Sequence, residues 1–199
     1  MTNKENLIVA NPSISSNEAK LLLHTNRIEK LPLLDERGKI SGLITTKDIR
    51  KLEQWNNANR DSKGRLVVAA AVGVKDALER AGALVEAGVD VLVLDIAHCH
   101  SDYAIQRIRE LKQAFPHIDV VAGNIATKEA ARDLIAAGAD GLKVGIGPSP
   151  VCTTRIMSGS GVPQLTAVFD VCQIAKQHGV PVCADGGITY PGDVAKALA

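Results

Sequence analysis

Leu84-Val-Glu-Ala-Gly88-Val-Asp90-Val-Leu92 and Leu134-Ile-Ala-Ala-Gly138-Ala-Asp140-Gly-Leu142 lie fifty positions apart and follow one plan. Each closes an amphipathic helix, sets a glycine just beyond its end, where a left-handed residue terminates the helix, and launches an aliphatic strand. Working outward, apolar runs at 66–72, 118–122 and 180–184 join those at 91–95 and 141–145, with amphipathic stretches between them. Continuous aliphatic runs of this kind belong to parallel strands covered on both faces. Repeated βα units with reactive-looking residues at the strand C-termini predict a (β/α)8 TIM barrel, in which those ends form the active-site face. A doubly wound sheet is the alternative. A complete barrel takes about 250 residues, and five βα units are visible over residues 66–199. The expectation is therefore a partial barrel, with a last helix that begins near Gly192 and reaches Ala199 without a cap, so that the chain reads as truncated.

Residues 1–54 have a different texture. Ser15-x-x-Glu18 is a capping box opening a helix to about Thr25, with Ala19, Leu22 and Leu23 on one face. A strand over Lys30–Leu34, a Glu-Arg-Gly-Lys turn, a strand over Ile40–Thr45 and a helix from Thr46 to about Trp55 follow. The stretches Ile28-Glu-Lys-Leu-Pro-Leu-Leu-Asp35 and Gly42-Leu-Ile-Thr-Thr-Lys-Asp-Ile49 resemble the core of one CBS repeat. Such repeats pair, and the resemblance implies nucleotide binding in the cleft of a pair. Residues 1–54 are thus expected to be a partial CBS module, 55–65 a polar linker, and 66–199 the incomplete catalytic domain.

Charge excludes some functions. The 199 residues carry 23 Lys plus Arg against 22 Asp plus Glu, so there is no net field to draw nucleic acid or an anionic membrane. An anionic ligand must be held by local geometry. The polar N-terminus lacks a signal peptide and no run approaches the roughly 18 apolar residues of a span, so a cytoplasmic protein is expected. Cys99, Cys152, Cys172 and Cys183 show neither Cys-x-x-Cys nor Cys/His metal spacing. Cys172 and Cys183 read as small buried hydrophobes.

Cys152 reads otherwise. It lies in Lys143-Val-Gly145-Ile-Gly147-Pro-Ser149-Pro150-Val-Cys152-Thr-Thr154-Arg155, where glycines at a strand exit allow tight turns and close approach to a ligand. A thiol held there is placed as a covalent nucleophile would be. With Gly159-Ser-Gly161-Val-Pro163-Gln164 downstream, the segment is similar to the Cys-loop of the inosine monophosphate dehydrogenase and guanosine monophosphate reductase family. Three more strand ends resemble that family in its order: Asp95-Ile-Ala-His98-Cys-His100-Ser101, Ala122-Gly-Asn124-Ile-Ala-Thr127 and Ala184-Asp185-Gly186-Gly187-Ile188.

The resemblance implies that Cys152 adds to C2 of the hypoxanthine ring of inosine 5′-monophosphate, that hydride passes to NAD⁺, and that water hydrolyses the covalent thioimidate to xanthosine monophosphate. Thr154 would line the water's approach. Asp95 and His98 would meet the dinucleotide, Asn124 the base, Asp185 the ribose hydroxyls, and Ser149, Gly186 and Gly187 the phosphate side. The carbonyls of Gly147, Ser149 and Cys152 would match those that hold a potassium ion, and a homo-oligomer, a tetramer in the family, would be the assembly. Guanosine monophosphate reductase shares the Cys-loop and is the alternative enzyme; the CBS module and Val162-Pro163-Gln164 favour the dehydrogenase. A non-catalytic partner of full-length subunits is the alternative outside enzymes.

Two positions depart from the family pattern. Ser149-Pro150 stands where Gly-Ser is usual, and Pro150 lacks both the hydroxyl and the N–H that would face the phosphate. Cys99 replaces a common Gly, and a positive φ there would be strained. With these changes, and with no flap segment to activate water, the chain alone is expected to be an inactive form.

Overall fold

The computed structural model describes residues 6–62 and 64–199. The chain divides into two compact units, with the boundary between Leu66 and Val67. In the first, α1 (Ser16–Thr25), β1 (Lys30–Leu34), β2 (Ile40–Thr45) and α2 (Thr46–Gln54) follow in order, and β1 and β2 pair antiparallel. Both helices open on capping boxes: Ser15 with Glu18, and Thr45 with Asp48. Each box satisfies two N–H groups that the first turn leaves without helical partners. Ala19, Leu23, Leu31 and Ile49 form the small core. After α2, the Asp61 carboxylate pairs with Arg65 at 2.7 Å and Arg60 bridges to Leu66.

The second unit alternates strand and helix: β3 (Ala69–Val72), α3 (Ala77–Glu86), β4 (Val91–Asp95), α4 (Asp102–Ala114), β5 (Asp119–Ile125), α5 (Lys128–Ala136), β6 (Gly141–Val144), the short α6 (Thr154–Ser158), α7 (Gln164–His178), β7 (Val182–Ala184) and α8 (Pro191–Leu198). The strands lie in the order β3-β4-β5-β6-β7, every neighbouring pair parallel. Unbroken sequential order is that of a barrel wall; a doubly wound sheet reverses direction at a switch point. The unit is accordingly part of a TIM barrel. Leu92, Leu94, Val120, Ala122, Leu142 and Val144 are buried in its core, under α-helical residues such as Ile108, Leu134 and Val171.

The repeated segments explain part of this order. Gly88 (φ 89°) and Gly138 (φ 101°) stop α3 and α5, and the next N–H groups, of Val89 and Ala139, return to the carbonyls of Leu84 and Leu134. The aspartate two residues after each glycine then pins the neighbouring strand. Asp90 accepts the Val68 N–H and Asp140 the Val120 N–H, both at 2.8 Å. Among the described residues no helix is long and apolar enough to cross a membrane.

Two expectations about cysteines are corrected. Cys183 is exposed because β7 is the edge of the five-stranded sheet. Cys99 is buried without backbone strain: the only non-glycine residue with positive φ among those described is Arg27, and the Cys99 N–H donates to the Asn124 carbonyl at 2.9 Å.

Candidate active site

Four adjacent strands converge on one ammonium group. Lys143, third residue of β6, sends Nζ to within 2.7 Å of Asp185 Oδ2 just beyond β7, 3.2 Å of Asn124 Oδ1 near the end of β5, and 3.3 Å of Asp95 Oδ1 at the end of β4. An ammonium has three N–H donors, and here each has an acceptor. Asn124 Nδ2 in turn donates to Asp185 Oδ2 and to the Gly145 carbonyl, both at 2.8 Å. The Asn124 hydrogen bond, and then Lys143, hold the Asp185 carboxyl below the ordinary carboxylate range. Partial burial on its own would lower the Lys143 pKa, yet Asp185 and Asp95 outweigh it and keep the pKa raised. Asp185 Oδ1 and Asp95 Oδ2 accept no hydrogen bond among the described residues, so each carboxylate keeps one open acceptor.

Local backbone makes this convergence possible. Lys143 is the register partner of Gly123, and a Cβ at Gly123 would overlap the Cβ and carbonyl of Lys143. At Gly145, where β6 gives way to the Cys-loop, a Cβ would strike the Asp185 carbonyl. Only residues without side chains let the strand ends approach so closely. Gln164 completes the stitching: buried at the start of α7, it donates through Nε2 to the carbonyls of Val144 at 2.8 Å and Asp185 at 3.2 Å.

Cys152 is half-buried in the loop between β6 and α6, and its Sγ lies 3.3 Å from Thr154 Oγ1. Hydrogen bonds from the Thr154 side chain and backbone, with Arg155 nearby, stabilise the thiolate and lower the thiol pKa. The contrast is Cys99, where burial, with Asp95 adding to it, pushes the thiol up to about 12. Ser149 holds the loop together, its carbonyl accepting the Cys152 N–H at 3.1 Å and its hydroxyl the Val151 N–H at 3.4 Å. Pro148 and Ser149 lie against the turn at Gly186 and Gly187, which joins the Cys-loop to the exit of β7. Pro150 is exposed.

Among the predicted site residues, Asp95, Asn124 and Asp185 form one network, Cys152 and Thr154 a pair, and Ser149, Gly186 and Gly187 one corner. His98 joins none of these: it is exposed, with its ring edge-on to His100 at 6.3 Å, while His100 pairs with Asp133 at 2.9 Å. Lys143 and Gln164 carried no role in the sequence reading. A lysine inside an otherwise aliphatic strand run was the available signal for the first.

Residues 38–199 match the family described as the IMP dehydrogenase / GMP reductase domain. The chain belongs to this family. Residues 1–54 match the CBS domain. Inosine-5′-monophosphate dehydrogenase of Halalkalibacterium halodurans is 54% identical over 197 residues, which are 98% of this chain and 41% of that protein. The enzyme of the same name from Nitrosopumilus maritimus is also 54% identical, over 98% of this chain and 41% of its own length. Among solved structures, a cysteine-to-alanine variant of GMP reductase from Trypanosoma brucei, in complex with guanosine 5′-monophosphate, superposes with a TM-score of 0.89 at 47% identity over 100% of this chain and 42% of that one. The chain of this IMP dehydrogenase / GMP reductase family member thus spans about two fifths of the length of the relatives it matches.

Proposed function

We propose that the protein takes part in the oxidation of inosine 5′-monophosphate to xanthosine 5′-monophosphate, with Cys152 as the covalent nucleophile. The observation that carries this reading is the position of Cys152: it is half-buried in the loop that leaves β6, with Sγ 3.3 Å from Thr154 Oγ1 and a thiol pKa shifted downward, whereas Cys99 is buried. A thiolate adds to an electron-poor ring carbon, and a thiol does not. In the proposed sequence the Cys152 sulfur bonds to C2 of the purine, the C2–H bond breaks with loss of hydride, and water cleaves the resulting C–S bond to leave the oxidised base and the regenerated thiol. NAD⁺ supplies the hydride acceptor when bound.

The remaining residues bind and orient. The open Oδ1 of Asp185 suits the two hydroxyls of a ribose, since a carboxylate accepts from both. Asp95, whose Oδ2 is open, and the exposed His98 would serve a second nucleoside, that of the dinucleotide. Asn124, fixed by Gly145 and Asp185, would hold the base, and Ser149 with the Gly186–Gly187 turn would meet the phosphate. Thr154 is the group beside the sulfur that would meet the hydrolytic water. For a potassium ion, the carbonyls of Gly147 and Cys152 accept no hydrogen bond among the described residues, and no cluster of three acidic, His or Cys side chains is present there. Neutral carbonyl oxygens are the donors that a monovalent cation takes, with Ser149 contributing the carbonyl that also closes the turn. Assembly as a homo-oligomer is part of the same proposal.

GMP reductase is the second reading, favoured by the likeness to the Trypanosoma brucei structures. The test is to follow NADH formation from inosine 5′-monophosphate and NADPH consumption with guanosine 5′-monophosphate in the purified full-length protein, together with mass mapping of a purine adduct. NADH formation with an adduct on Cys152 supports the dehydrogenase. NADPH consumption alone supports the reductase, and neither reaction with no adduct overturns both.

A further inference from the structure

The ammonium of Lys143 touches both of the carboxylates that Proposed function assigns to ligands, and that reading gives it no part. Its position is unusual for a structural ion pair. Asp185 and Asp95 have side chains 43% and 44% exposed, whereas Lys143 is 22% exposed, so the cation is the inner partner and the two anions face outward. Each carboxylate gives one oxygen to Lys143 and keeps the other open. Asp185 Oδ2 is held twice, by Lys143 Nζ at 2.7 Å and Asn124 Nδ2 at 2.8 Å, which fixes the rotation of the carboxylate and hence where Oδ1 points. The strand beneath is shaped for this contact: Gly123 leaves room for the lysine stem, and Gly145 lets the Asp185 backbone come close.

We propose that Lys143 is a positioning residue for nucleotide binding, bridging Asp185 and Asp95 so that the Oδ1 of Asp185 is presented to a ribose diol. This rests on the reading of Asp185 as the diol acceptor. Without the ammonium, two carboxylates brought to a common cation would face each other uncompensated and turn apart. Asn124 alone would hold Asp185, through one hydrogen bond from an uncharged donor and without the ion pair. The expected loss falls chiefly on the diol contact, because Asn124, which loses its Oδ1 contact to Lys143, stays held through Nδ2 by the Gly145 carbonyl.

Calorimetry on the purified full-length protein tests this with inosine 5′-monophosphate and its 2′,3′-dideoxy analogue, in the parent, Lys143→Met and Lys143→Arg. In the parent the diol should strengthen binding. In Lys143→Met, inosine 5′-monophosphate should bind about tenfold or more weakly, the size of one charge-assisted contact, while the dideoxy analogue changes little. Lys143→Arg, which keeps the charge, should recover part of the loss. If Lys143→Met does not fold, Lys143→Gln carries the same comparison. A parent that binds both ligands equally overturns the reading of Asp185, and the proposal with it. A parent that prefers the diol, with a variant that loses both ligands equally or neither, overturns the role of Lys143 and leaves Asp185 standing.

Discussion

Gly123 on β5 and Lys143 on β6 are register partners in adjacent parallel strands, and the missing side chain of the first admits the side chain of the second. A Cβ at position 123 would overlap the Lys143 Cβ and its backbone carbonyl, and backbone cannot rotate away. Gly123→Ala is therefore expected to lower stability by about 1–3 kcal/mol, the usual cost of overpacking, and to draw Nζ off Asp185. Thermal melting measures the first effect. An unchanged melting temperature would show that the two strands separate more easily than their register implies.

Asp90 and Asp140 occupy equivalent positions in the repeated segments, but their partners differ in burial. Asp140 accepts the N–H of Val120, which is buried, and also pairs with Lys112 Nζ at 2.8 Å; Asp90 accepts the N–H of Val68, which is 51% exposed. Removing Asp140 leaves a buried donor with no acceptor, whereas water replaces Asp90. Asp140→Ala is expected to cost about 1–3 kcal/mol, and Asp90→Ala no more than about 0.5 kcal/mol, as at ordinary surface sites. Denaturant melts of the two variants compare them directly, and equal losses would remove burial as the cause.

The thiols give a pH-resolved prediction. An ordinary cysteine titrates near 9.0, and hydrogen bonds from Thr154, with Arg155 adding to them, place Cys152 lower. Its thiolate therefore accumulates at lower pH than that of an ordinary cysteine, and its alkylation rate should rise through a midpoint below 9.0. Thr154→Val removes the leading cause and should move the midpoint up. Cys99, raised to about 12, should stay unlabelled throughout that range. Mass-resolved alkylation against pH checks all three statements; a Cys152 midpoint unmoved by Thr154→Val would assign the shift to the backbone N–H of residue 154, with Arg155, instead of the hydroxyl.

Local pattern made much of this fold legible. The capping box at Ser15 and the strands Lys30–Leu34 and Ile40–Thr45 on either side of a Gly-containing turn are decided by neighbours in sequence, and the observed elements have those bounds. The apolar run at 66–72 is shorter as a strand, Ala69–Val72, because β4 offers pairing partners only from Val91 onward, opposite Ala69. Leu66, Val67 and Val68 stay exposed. The carboxylates, the asparagine and Cys152 were legible because each sits where a strand gives way to a loop. Lys143 was not, since its role exists only when β4, β5, β6 and β7 lie side by side, and no window along one strand contains its three acceptors. Gln164 was hidden for the same reason: what it joins, Val144 and Asp185, lies 20 and 21 residues away.

Pro150 is where the Cys-loop departs from its family, and the structure shows what that position lacks. The two N–H groups that follow Pro150 are already directed inward, Val151 to the Ser149 hydroxyl and Cys152 to the Ser149 carbonyl. Pro150 has no N–H and no hydroxyl, so the corner formed by Ser149 with Gly186 and Gly187 has two donors fewer than a serine at 150 would provide. A donor directed at a phosphate is charge-assisted and contributes roughly 1.5–3 kcal/mol. Ser149→Gly combined with Pro150→Ser in the full-length protein is therefore expected to tighten binding of inosine 5′-monophosphate by about tenfold or more, about 1.4 kcal/mol corresponding to a factor of ten. Inosine, which lacks the phosphate, should bind with nearly unchanged affinity. The comparison separates a phosphate contact from a general tightening of the loop, because better loop packing would help both ligands. Calorimetry with the two ligands decides it: equal gains, or no gain for either, would mean that the phosphate is held elsewhere on the strand ends and that Ser149-Pro150 is no handicap.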